Sequence, residues 1–543
     1  MFSKFNLQRD YTLHSSPYQL CLPIDLEKFI PDNDSVRLVD QIVDNLELGE
    51  LYRSYSKGIP ENQVSPRQML KIVLYGHMCG CYSSRSIESA CLRDINFMWL
   101  LNRAPAPDHS TIARFISIHF SACRKEIMSE FTEFLKACGE ISCRNVFIDG
   151  TKIESCANKY TFVWKKSITK RMAKLLEKIA EFVAECEAAY DLHIVSGNKV
   201  KLHDLKKLHK ALLKLVKSEK VVIVHGPGTK KNPLQRSLEK LDEYDKKLRD
   251  YTQHLYRMGE RNSYSKTDPD ATFMRMKEDH MLNGQLKPGY NIQHAVDSEY
   301  IVYVSASWHP TDTCTLIPLL QEMDSRLSFK YQNIVADSGY ESEENYAFLE
   351  KEGRTTFIKP KNYEISKTKK YKTDISLMEN MTYDKDQDLY ICKNNKELRK
   401  SKEFKSKSST GYVRNVTEYR CDGCSGCPFK TKCIKGNNSK TPMEERSKVL
   451  NVSKKMQEYR KQDLENILSE EGTQLRMNRS IQAEGSFAET KEDMGFRRYL
   501  YRGHDSIESE SILIALARNV RKLHCKIQSG HTGRYLFELK KSA

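Results

Sequence analysis

The stretch NVFIDGTKIESCANKY, residues 145–160, decides how the chain is read. Val146-Phe147-Ile148 is an apolar run short enough for a buried strand, and it ends in Asp149 followed by Gly150-Thr151-Lys152. An aspartate leaving a buried strand is either a turn former, bonding nearby backbone, or an acid delivered to a functional sheet edge. The pattern recurs in YQNIVADSGY, residues 331–340, where Ile334-Val335-Ala336 runs into Asp337 and then Ser338-Gly339.

The segments between and after these two aspartates set the fold class. YNIQHAVD (290–297) and YIVYVSASWHP (300–310) are strand-like and separated by two residues, a hairpin spacing. TDTCTLIPLLQEM (311–323) opens with a Thr or Asp cap and runs helical; SEENYAFLEKEG (342–353) is a capped helix; RTTFIKPK (354–361) is a short strand ended by proline. Strand with acid, hairpin, helix, strand with acid, helix, strand predicts an α/β fold built on a mixed sheet. Ligands of such sheets gather at the carboxyl ends of strands, where two aspartates on adjacent strands could share a divalent cation.

A third acid comes from NRSIQAEGSFAETKEDMGFRRYLYRG, residues 478–503. Glu484, Phe487, Lys491 and Arg498 recur at spacings of three, four and seven, which predicts one helical face. Gly485 beside Glu484 lowers helix propensity, which a plain surface helix does not explain.

Outside this frame the chain reads as helices. From Leu26 to Leu135, SVRLVDQIVDNL and PRQMLKIVLYGHM place apolar residues at i, i+3, i+4 and i+7; APAPDHSTIARFISIHF adds a break and a new helix starting at Ser110 or Thr111. Such a front suits either helix-turn-helix contact with DNA or a bundle used for dimerisation. Residues 165–266, rich in Lys, Leu, Glu and Ala and interrupted by HGPGTKKNP, read as a helical, coiled-coil-like insertion. The expected division is 1–140 as a helical N-terminal domain for DNA binding or dimerisation, and 141–164 with 267–362 as the first part of the core. The helical insertion (165–266) interrupts that part; a cysteine-rich module (363–465) and the last part of the core with a C-terminal tail (466–543) follow.

Composition narrows the partners. At 543 residues the chain exceeds one ordinary core, and 39% hydrophobic residues exclude a disordered protein. Lys and Arg outnumber Asp and Glu by 88 to 72, a formal charge of +16 that favours a polyanion such as nucleic acid. The N-terminal stretch MFSKFNLQRDYTLHSSPYQLCLP lacks the plan of a secretory signal, and no segment has the apolar length to span a bilayer, so a cytoplasmic location without membrane contact is expected. Most of the sixteen cysteines then read as reduced core thiols. CDGCSGCPFKTKC is different: Cys421, Cys424, Cys427 and Cys433 are spaced for a structural metal, Zn²⁺ or an iron–sulfur cluster, with Cys392 able to replace one ligand.

Several of these pieces together carry a resemblance: LPIDLEKFIP, YSSRSIESA and PDHSTIARF in the front, IDGTKIESCANKYTFVW, KPGYNIQHAVD, VADSGYESEENY, and RSIQAEGSFAETKEDMGFRRYLYRG. The chain resembles the DDE transposases of bacterial insertion sequences, in the eleven-eighty-two branch, over nearly its whole length. The resemblance implies an RNase H-like core in which Asp149, Asp337 and Glu484 form the catalytic triad and hold two Mg²⁺ ions, with Mn²⁺ as a substitute. It implies double-stranded DNA partners, namely terminal inverted repeats and target DNA, and a homodimer on DNA at the nucleoid. Lys491, Arg479, Arg497, Arg498 and Arg502 are the expected DNA contacts.

The family pattern of Tyr, Arg, Glu and Lys with gaps of two, three and six is kept only at Glu484 and Lys491. Met477 and Ser480 stand where Tyr and Arg are expected, and Arg479 is one position early. A DNA-binding derivative without chemistry, regulatory or domesticated, is the alternative; an RNase H-type nuclease acting on hybrids fits less well, because it needs neither the helical front nor the basic arms.

Overall fold

The computed structural model describes residues 25–55, 64–194, 202–225, 230–276, 284–436 and 441–538. The N-terminal stretch up to residue 24 and most of the HGPGTKKNP break (226–229) lie outside the described residues. Eight strands precede residue 360: β1 Asn145–Glu154, β2 Phe162–Trp164, β3 Ser263–Ser265, β4 Thr272–Arg275, β5 Leu286–Asp297, β6 Tyr300–Ser307, β7 Asn333–Ala336 and β8 Thr355–Ile358. The main sheet runs β6–β5–β1–β7–β8, with β4 sharing the outer edge of β5 with β6.

β5 is antiparallel to β1 and β6 to β5, while β7 and β8 run parallel to β1. This is the mixed α/β sheet expected from the segment order. β1 occupies its centre, which is why Val146, Phe147 and Ile148 are all fully buried and read as an unbroken apolar run. The β5–β6 hairpin turns on Ser298 and Glu299, both at positive φ (55° and 74°), as the twist of a two-residue hairpin requires. Neither is glycine. Their carbonyls are held by Lys526 Nζ on Ser298 (2.9 Å) and Arg518 Nη1 on Glu299 (2.6 Å), which offsets the strain.

Those two cations belong to the helix His504–Ser529, which is buried around nearly its whole circumference from Ile507 to Val520. It packs on β6 and on the helices Ser35–Asn45, Pro66–Met78 and Ser121–Ala137 of the front. Asn519 clamps the edge of β6, accepting from Ile301 N at 2.9 Å and donating to Ile301 O at 2.7 Å. One apolar cluster therefore runs from Ile30 through the sheet to Leu523. The helical front shares its core with the sheet rather than having one of its own.

The front's helices obey local rules. Pro66–Met78 starts from a Ser65–Gln68 capping box, and Ser35–Asn45 is capped by Asp34. The helix expected from Ser110 or Thr111 begins at His109, because Asp108 accepts from Thr111 N at 2.6 Å and is the cap.

The Lys-rich insertion rises from a neck in which β2 pairs with β3. Its helices Lys165–Tyr190, Leu202–Ser218 and Pro233–Met258 bury Ile179, Leu208, Leu212 and Leu241 in a separate cluster. A second sheet, β9 Thr382–Asp384, β10 Leu389–Ile391, β11 Glu397–Lys407, β12 Val413–Cys421 and β13 Val449–Val452, is antiparallel throughout and has its own small core around Leu398 and Tyr419. Among the described residues, no helix is long and apolar enough to cross a membrane.

Candidate active site

The register of β1 against β7 fixes two acids. Ile148 pairs with Ala336, the last rung of the parallel ladder, so Asp149 and Asp337 leave adjacent strands at the same level. Asp149 is 6% exposed and accepts Gly150 N at 2.9 Å. Asp337 caps a short turn, accepting Gly339 N at 2.7 Å. Both backbone N–H bonds favour the ionised carboxylate. The turn-former reading and the delivered-acid reading are thus both true locally: the Asp-Gly and Asp-Ser-Gly turns hold the side chains in place.

The third acid approaches from a helix that does not follow a regular path. Glu470–Arg479 is α-helical, Ser480–Glu484 widens to a π turn, Gly485–Ala488 is α-helical again and Glu489–Asp493 widens once more. Such π turns re-aim side chains and are frequent at functional sites. Ser480–Glu484 packs on β1 and β5. The next turn is anchored on His294, the cross-strand partner of Asp149: its ring stacks on Phe487 at 4.0 Å, and its Nδ1 lies 3.2 Å from Ser486 Oγ. Burial, then the charge of Arg518, drives the His294 imidazole down to about 3, so it is neutral.

Glu484 itself is half exposed and paired. Arg479 Nη2 donates to its Oε1 at 2.6 Å and Ser480 Oγ to its Oε2 at 3.1 Å. Lys491 Nζ donates to Thr151 Oγ1 at 2.9 Å, two residues beyond Asp149 on the same strand face. Arg498 is not on this helix, as the spacing predicted. Gly495, at φ 65°, ends the helix, and Arg498 instead bridges Glu154 beside the sheet.

The remaining arginines are engaged with the protein. Arg498 donates to the carbonyls of Ser155 (3.3 Å) and Ala157 (3.4 Å), and Arg502 to that of Cys156 (2.9 Å), so both hold the loop that follows β1. Arg497 pairs with Glu492 at 2.5 Å, both side chains more than half exposed.

Sequence reading missed Asp312. It lies just after β6, and a Cβ placed on Gly150 would come within 2.8 Å of its Oδ1. Tyr340, fully buried beside it, has its phenol pushed well above the usual value by burial first and then by the charges of Asp312, Asp149 and Asp337. The signal was present: Asp312 is a third acid at a strand end, but its place before a helix made it read as a cap.

The expected metal ligands are not set for coordination. Among the described residues, no group of three or more His, Cys, Asp or Glu side chains could hold a metal ion as arranged, which applies to Asp149, Asp337 and Glu484 and also to the cysteines. For the acids the reason is visible: Glu484 is turned to Arg479. Cys392, Cys421, Cys424, Cys427 and Cys433 nevertheless line one small pocket, closed by Lys448, whose backbone N–H donates to Cys424 Sγ at 3.3 Å. All cysteines among the described residues are unbonded.

Two family models match the chain: a transposase DDE domain over residues 391–524, and a transposase domain of otherwise undefined function, DUF772, over residues 24–117. The first takes in Glu484, Lys491 and the cysteine pocket and begins after Asp149 and Asp337; the second covers most of the helical front. No curated protein and no solved structure matched.

Proposed function

We propose, taking the chain as a DDE transposase of an insertion sequence, that it binds the terminal inverted repeats of its element and cleaves and joins DNA strands with Asp149, Asp337 and Glu484 as the catalytic acids. The observation that carries this reading is the Ile148–Ala336 rung, which brings Asp149 and Asp337 to one sheet edge beside the Glu484 helix. The donors fit magnesium, since all are hard carboxylate oxygens and two are pre-set by backbone N–H bonds. Two Mg²⁺ ions, when bound, would activate the attacking oxygen and stabilise the departing one.

The chain's own residues prepare for this. Arg479 holds Glu484 away from the aspartates until a DNA phosphate competes for its guanidinium, whereupon Glu484 is released toward Asp149. Lys491, fixed over Thr151, and the exposed Arg497 position the strand by its backbone. Arg498 and Arg502 act on DNA through the β1 loop they brace. The front recognises the repeats, and two copies act on paired ends at the nucleoid. Cys421, Cys424, Cys427 and Cys433, with Cys392 as a fifth thiol, hold a structural Zn²⁺, a donor set suited to that ion.

The paired state of Glu484 favours one second reading, a DNA-binding derivative without chemistry. The test is strand cleavage of a duplex made from the sequences flanking the gene. Cleavage in Mg²⁺ that is lost with Asp149→Asn supports the enzyme. Specific binding without cleavage supports the derivative.

A further inference from the structure

Asp312 is tied down by two amides of β5. Asn291 Nδ2 donates to its Oδ1 at 2.7 Å and Gln293 Nε2 to the same oxygen at 3.3 Å. Gln293 is itself oriented by the Tyr340 hydroxyl, which donates to its Oε1, so the amide presents its N–H to the acid. The carboxylate thus has one oxygen committed to the sheet. Its other oxygen, Oδ2, is on the Gly339 side: a Cβ placed on Gly339 would lie 3.1 Å from Asp312 Oδ2 and 2.9 Å from Asp337 Oδ1. The two acids flank the same point, and the missing side chain leaves it open.

A second observation lies beside it. Asn291 is 1% exposed, and while its Nδ2 serves Asp312, its Oδ1 has no hydrogen-bond partner. A buried orphan acceptor costs about 1–3 kcal/mol unless something donates to it. Flipping the amide would not cure this, because it would turn the oxygen toward the carboxylate. Asp312 Oδ2, Asp337 Oδ1 and Asn291 Oδ1 are all acceptors, so what fits among them is a cation with its bound water, not another acceptor.

We propose that Asp312 is a fourth carboxylate of the site, which holds a divalent cation together with Asp337 while Asn291 accepts from that cation's water. This rests on the DDE reading and extends it. With Asp312 in place, the Asp149–Asp337 edge can bind a first ion while Glu484 is still paired with Arg479. DNA then completes the site rather than creating it.

The test is Mn²⁺ binding by the full chain without DNA, followed by electron paramagnetic resonance, alongside melting temperature in EDTA. Asp312→Asn keeps the shape and is expected to weaken Mn²⁺ binding at least tenfold, with the EDTA melting temperature unchanged or raised because like charges are removed. Gly339→Ala, which places a methyl group between the two acids, is expected to weaken binding in the same way. Glu344→Gln, on a neighbouring helix, is the control expected to leave it unchanged. If Asp149→Asn and Asp337→Asn weaken binding while Asp312→Asn matches the parent, the fourth-carboxylate assignment is overturned and the DDE reading stands. If the parent binds no Mn²⁺, or binds it independently of Asp149 and Asp337, both fall. A drop in the EDTA melting temperature of Asp312→Asn with parental Mn²⁺ affinity assigns Asp312 a purely structural role and overturns the proposal.

Discussion

The acid edge and the cysteine pocket make an instructive pair. Each gathers metal-type donors, and neither is set to coordinate as it stands. In the first, oxygen donors are fixed by hydrogen bonds and one is held back by a cation: Asp149 and Asp337 by their own turns, Asp312 by Asn291 and Gln293, Glu484 by Arg479. In the second, thiols sit against a small apolar core, and burial raises the Cys421 thiol to about 12, with Cys424 as the next cause. The acid edge is charged and restrained before any ion arrives, whereas the cysteine pocket is neutral until a metal displaces its protons. Exchangeable catalytic ions suit the former and a permanent structural ion the latter.

The largest expected effect separates the two by chemistry. Asp149→Asn should reduce strand cleavage on the order of 10³-fold while leaving zinc content and circular dichroism unchanged. Parental cleavage in that variant would remove Asp149 from the chemistry.

Replacing Cys424 and Cys427 together with serine should do the reverse. Zinc measured by mass spectrometry should fall from about one per chain toward none, and limited proteolysis should open residues 363–465 first. The second sheet has a core of its own, so the main sheet should survive. Loss of the whole fold would show that the pocket is not a local staple.

Arg479→Ala sharpens the restraint half of the comparison. Freed of its partner, Glu484 should raise Mn²⁺ affinity several-fold without DNA, while affinity for terminal-repeat DNA falls. An unchanged Mn²⁺ affinity would mean that Glu484 is not held in reserve.

The smallest effects are in pH. Metal uptake by the thiols should release protons and weaken as pH falls from 8 to 6, since the raised Cys421 and Cys433 thiols must ionise to bind. At the acid edge, His294 is lowered to about 3 against 6.5, so only the unfolded chain takes up a proton between those values. Its contribution is intact above pH 6.5 and is lost as pH falls below it, by at most about 1.4 kcal/mol per pH unit. His294→Phe should flatten that part of the stability profile measured by urea unfolding; an identical slope would show that the ring titrates freely.

Much of this architecture was legible in the chain, for particular reasons. β1 and β7 announced themselves because central strands are buried on both faces and read as unbroken apolar runs ending in an acid. The two helical regions looked alike by periodicity, yet the insertion keeps a separate core and the front does not. What joins the front to the sheet is the helix His504–Ser529, far away in sequence, and periodicity within a segment carries no information about such partners. The same limit hid Asp312, whose role depends on amides from β5 and on two absent side chains. It also misplaced Arg498, because a positive-φ glycine ended a helix whose apolar spacing continued.

The central claim is that the β1 and β7 aspartates share a divalent site at one sheet edge. Crystals soaked in Mn²⁺ and measured at the manganese absorption edge test it most directly. The account predicts an anomalous peak within coordination distance of both Asp149 and Asp337. A well-ordered edge with no such peak, or one contacting neither aspartate, would contradict it.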